Sequence, residues 1–133
     1  MSVNFKYTTP PALTSNSLGY LAVNQYFILV SLPSDAVYVN LVTFTLPAGT
    51  YIYSLCGSTS VVGPATVTVM FNDDIPSSLA ATTEEANTLN FPIAQNLVIQ
   101  PTSSTTYVLK AQSNGITPYA SLITGRVNVV RIA

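Results

Sequence analysis

The chain has 133 residues, of which 48% are apolar and only 7% charged, and its net charge is −1. That length fits one domain with a core of its own, and four cations are too few for the basic patch that a nucleic-acid partner demands. Ordinary soluble domains carry roughly 25% charged residues, so this surface must be built from Ser, Thr, Asn, Gln and backbone. Such a surface gives up its water cheaply, because no ion has to be stripped. It suits a protein packed against copies of itself, or one that reads neutral ligands such as sugars.

In chain order, residues 1–15, "MSVNFKYTTPPALTS", read as an extended arm, and residues 16–133 as one domain. The arm lacks the apolar stretch of a signal peptide. Two strands follow, "LGYLAV" (18–23) and "QYFILVS" (25–31); the run "QYFILVSL" falls far short of the ~20 residues of a membrane span. "AVYVNLVTFTL" (36–46) is the third strand. Pro47 and Gly49 turn it into "TYIYSLCGS" (50–58), since Pro presets a turn and Gly accepts positive φ. Cys56, the single cysteine, forms no internal bridge and is expected to be buried filler.

"ATVTVMFN" (65–72) alternates, with Val67, Val69 and Phe71 on one face and Thr66, Thr68 and Met70 on the other. Pro76 bars the strand from continuing past Asp73-Asp74. Residues 77–89, "SSLAATTEEANTL", read as a long loop with at most one helical turn. "NLVIQ" (96–100) and "TTYVLKAQ" (105–112) follow, then a tight turn at Asn114-Gly115 and a last strand, "SLITGRVNVVRIA" (121–133). About eight strands at regular spacing predict an all-β, single antiparallel β-sandwich or jelly roll.

Chemistry has little to work with. There is no histidine, hence no standard triad and no common metal ligand. No Gly-x-Ser-x-Gly elbow or Gly-rich phosphate loop occurs. The acidic pairs Asp73-Asp74 and Glu84-Glu85 each point to opposite faces of an extended chain, so neither alone can flank a glycosidic bond. Asn72, Asp73 and Asp74 offer calcium-type oxygens, but their spacing matches no EF-hand and solvated turn acids are the simpler reading. We therefore expect no catalytic residue, no metal and no cofactor. The tyrosines Tyr20, Tyr26, Tyr38, Tyr51 and Tyr53 fall on consecutive strands and fit core packing, a sugar platform or an oligomer contact.

The order "NSLGY" (16–20), "VTFTLPAGTYIYSLCGS" (42–58), "TTYVLKAQ" (105–112) and "GRVNVVRIA" (125–133) resembles the C1q/TNF-like jelly-roll domains of viral and phage surface proteins. Tyr51 stands where that pattern commonly has Trp. The resemblance spans residues 16–133 and implies a jelly roll of eight to ten strands that assembles as a compact trimer. It implies a central last strand beside the threefold axis, with Tyr51, Tyr53, Arg126, Asn128 and Val130 at the subunit interface.

Taken together, these readings predict a viral structural protein on the capsid surface: a minor capsid, cap, spike or fibre-head component, made in the host cytoplasm. Its partners would be itself, other capsid proteins and a host receptor. The alternative is a carbohydrate- or receptor-binding module with contacts at Asn72, Asp73, Asp74, Asn114 and Tyr119, on loops at one end. In the trimer Arg126 would need acids from a neighbour, with Asp35, Glu84 and Glu85 as candidates. Arg131, on the other face, is expected to reach solvent.

Overall fold

The computed structural model describes residue 14 and residues 17–72, 77–82, 88–115 and 120–133, with the backbone alone for 77–82. Its strands are β1 (Leu21–Leu32), β2 (Val39–Leu46), β3 (Tyr51–Val62), β4 (Ala65–Phe71), β5 (Ser77–Thr82), β6 (Thr88–Ile99), β7 (Thr105–Gly115) and β8 (Ser121–Arg131). They form two antiparallel four-stranded sheets, ordered β1-β8-β3-β6 and β2-β7-β4-β5. That interleaving, in which each sheet alternates early and late strands, is the jelly-roll topology. The expected all-β sandwich is what the chain forms.

Period-two alternation builds the core. Val67, Val69 and Phe71 of β4, Tyr107, Leu109 and Ala111 of β7, and Ile123, Val127 and Val129 of β8 all point inward. Phe44, Tyr53, Phe71 and Tyr107 meet between the sheets with ring centroids 4.4–6.5 Å apart. Burial pushes the Tyr53 phenol well above its ordinary pKa, and its hydroxyl has no hydrogen-bond partner among the described residues.

Several expected boundaries are corrected. The two first strands are one, β1, broken by a register shift between Phe27 and Val30. Leu29 sits there at φ 47°, its N–H donating to Thr124 Oγ1 at 2.9 Å, so Ile28 and Leu29 both end up exposed. The segment read as a loop contains β5 and the start of β6. Asn114-Gly115 is not a turn but the end of β7, paired with Thr66 and Ala65 of β4.

β8 does lie centrally, paired with β1 on one side and β3 on the other. Where Gly57 opposes Gly125 the backbones come too close for side chains: a Cβ on Gly57 would stand 2.0 Å from the Thr124 carbonyl oxygen. The Pro47–Gly49 turn forms as expected, with Gly49 at φ 156°. A Cβ there would stand 2.9 Å from the Arg131 guanidinium carbon. Arg131 is not reaching into solvent. It lies over the Tyr51 ring at 5.6 Å and donates to the Ala48 carbonyl and the Tyr51 hydroxyl, both at 3.2 Å. The Tyr51 hydroxyl in turn donates to the Pro47 carbonyl at 3.0 Å. Thr50 N–H donates to Ala133 O, and Ile132 N–H to Thr50 O, which ties the end of β8 to this turn.

Candidate interaction surface

Away from the bulge at Ile28 and Leu29, outward positions of the first sheet stand directly across from one another on successive strands, so this part of the outer face is a stack of rows. At the end where β1 starts, Leu21, Val130, Ile52 and Val98 line up across all four strands. Leu21, Ile52 and Val98 are 46%, 40% and 63% exposed. The next row is neutral and polar: Asn24, Asn128, Ser54 and Asn96. The third is Tyr26, Arg126, Cys56 and Ala94.

Arg126 is held by its row and the one beside it. Its guanidinium lies 5.8 Å from the Tyr26 ring centre and donates to the Tyr26 hydroxyl at 3.5 Å. The Asn128 amide, turned so that its oxygen faces Arg126, accepts from Nε and Nη2 at 3.2 Å and donates to Asn24 Oδ1 at 3.0 Å. Tyr26 first, and Cys56 to a lesser degree, raise the Arg126 pKa, so this cation stays charged at every physiological pH. Neutral neighbours on its own chain thus engage Arg126. Asp35, one of the three acids named as a neighbouring copy's partner for it, is bridged within its own chain to Asn114 and accepts from the Val37 N–H. Glu84 and Glu85 lie outside the described residues.

Other expected site residues fall elsewhere. Tyr51 and Tyr53 are 1% and 0% exposed, because the parity that sends Leu55 inward sends them inward too, so their side chains cannot touch a neighbouring copy. Arg126, Asn128 and Val130 do share the outer face. Cys56, expected to be buried, is exposed beside Arg126. Its outward place was readable from the alternation of "YIYSLC"; the cross-strand arginine was not.

Asn72 and Asn114 are not neighbours. Asn72 follows β4 and bonds to Val108 O, whereas Asn114 pairs with Thr66, six residues back along β4 and about 20 Å away. Asp73, Asp74 and Tyr119 lie outside the described residues. Among the described residues no three of His, Cys, Asp and Glu converge as metal ligands, and no helix is long and apolar enough to cross a membrane.

The second sheet presents a different exterior. Thr43, Thr45, Thr66, Thr68, Thr106 and Gln112 face outward, and the Thr45 and Thr106 hydroxyls bond to each other at 2.8 Å. Of the ten exposed large hydrophobic side chains among the described residues, seven lie on β1, β3, β6 and β8, and two, Leu18 and Ile132, flank that sheet in sequence. The tenth is Val37, ahead of β2.

The chain is thus a jelly-roll sandwich with one apolar and amide-rich outer face. No family model matches the sequence, and no curated protein matches it. Solved structures do. A chain of infectious bursal disease virus, Gx strain, superposes with TM-score 0.53 at 11% identity, covering 97% of this chain and 38% of that one. The VP2 subviral particle of the same virus gives 0.49 at 15% identity, over 85% of this chain and 32% of that chain. The globular domain of zebrafish complement 1qA gives 0.42 at 11% identity, over 85% and 96%. The chain spans less than two fifths of the viral chains it resembles. At these identities the likeness is one of fold.

Proposed function

We propose that this chain is a structural subunit of a virus particle, a trimer at the capsid surface that associates through the outer face of the β1-β8-β3-β6 sheet. The observation that carries the reading is the one-sided distribution of exposed apolar side chains, seven on that sheet's strands and none on the described side chains of the other. Large contiguous apolar patches mark contact surfaces. The next row is neutral, and the Arg126 guanidinium beyond it is already hydrogen-bonded to Tyr26 and Asn128, which lowers the cost of covering it. The fold shared with a virus chain supports the setting on a particle.

The test is light scattering on the purified protein at micromolar concentration, with Arg126→Glu as its variant. A trimer that Arg126→Glu converts to a folded monomer is expected. A wild-type monomer, or a trimer indifferent to the change, would remove this reading. Detection in purified virions at a multiple of three copies would place the trimer on the particle.

A second reading rests on the polar row. Asn24, Asn128, Ser54 and Asn96, flanked by the 62% exposed Tyr26, offer the amides and aromatic plane that neutral sugars use. It replaces the expected loop site, whose described members lie apart. Glycan-array binding that Asn128→Ala abolishes would favour it; an array without hits would dismiss it.

A further inference from the structure

The apolar row of Leu21, Val130, Ile52 and Val98 crosses the full width of the first sheet, about 14 Å for three strand spacings. We propose that this row receives the segment Val3–Tyr7 of a neighbouring copy, so that subunits exchange N-terminal arms. The inference rests on the self-association proposed above and names what covers one part of the face.

Five observations carry it. The chain joins the fold at the row itself: Gly19 N–H donates to Arg131 O at 2.7 Å, and Leu21, two residues on, is the row's first member. Thirteen residues precede Thr14, and they lie outside the described part. Fully extended they reach about 45 Å, three times the width of the row, which is enough to pass beyond the parent subunit. Val3, Phe5 and Tyr7 alternate with Asn4 and Lys6, giving one apolar edge with the period of a strand and leaving Lys6 on the watered side. Pro10-Pro11, which also keeps Thr9 out of helical geometry, favours an outward course over a return onto the parent row. Among the described side chains, the threonine face of the second sheet offers no comparable apolar row.

Cross-linking of the full-length chain in a Cys56→Ser background tests this. One population carries Phe5→Cys, a second carries Val98→Cys, and a third carries Thr43→Cys on the opposite sheet. After mixing and mild oxidation, the 5–98 pair is expected to yield at least tenfold more covalent dimer than the 5–43 pair. Equal yields overturn the proposal, as does a 5–98 link that forms only within single chains bearing both substitutions. Light scattering of the wild type separates the two readings. A self-associating protein without the 5–98 link loses the arm and keeps the interface, whereas a monomer without it loses both. In an independent arm of the test, Phe5→Asp/Tyr7→Asp is expected to weaken association at least tenfold with an unchanged melting temperature of the monomer. Unaltered association would refute the exchange.

Discussion

The outer faces of the two sheets differ in polarity at their outward positions. On the first sheet the outward positions include Leu21, Ile52, Val98 and Leu122; on the second they include Thr43, Thr45, Thr66, Thr68 and Thr106. Thr and Val share β-branching and fit a pleated strand equally well. Sheet formation is therefore indifferent to the choice, and hydration is not: the hydroxyl holds water, the methyl gives it up. One fold carries two exteriors, and the difference is written only at positions that the core does not use.

The largest expected effect sharpens the comparison at the centre of the first sheet. Gly57→Ala would force a Cβ against the Thr124 carbonyl, a backbone atom that cannot yield without parting β3 from β8. Overpacking of that kind costs about 3 kcal/mol or more, read as a large fall in melting temperature. Next, Ile52→Asp/Val98→Asp should weaken self-association about 100-fold, while Thr43→Asp/Thr68→Asp leaves it unchanged; equal effects in light scattering would erase the distinction between the faces.

Arg131→Ala removes the guanidinium from Tyr51 and from the Ala48 carbonyl. A loss of about 1–2 kcal/mol in urea unfolding is expected, without any change in association. Tyr53→Phe deletes a buried hydroxyl that bonds to no described group, and a gain of about 1 kcal/mol is expected. The same variant has a pH signature. Because the folded chain holds the Tyr53 proton above the ordinary 10.0, stability is undiminished below that pH and is lost as pH rises past it. Tyr53→Phe should flatten part of that alkaline decline, with the Tyr107 phenol, also raised by burial, accounting for some of the rest.

Where inward and outward residues differ in polarity, the sequence was a good guide. Val67, Val69 and Phe71 share one face by alternation with Thr66, Thr68 and Met70, and that face is the buried one. β5 was missed because "SSLAAT" lacks the bulky residues that mark a strand; its ladder comes from pairing with β4. β1 was split because a bulge breaks its alternation. Tyr51 and Tyr53 were placed at an interface on the strength of resemblance, against their own parity with Leu55. The rows that define the candidate surface were not legible at all. Tyr26, Arg126 and Cys56 meet only through the register of three strands far apart in sequence.

That register has a consequence for synthesis. β8 fills the slot between β1 and β3, and it is the last of the eight strands to leave the ribosome. At roughly 5–20 residues per second, β1 waits about 5–20 s for its ladder partner β8. The first sheet can be completed only after translation has passed Arg131. A nascent chain stalled before β8 has neither the central column of this face nor Arg126.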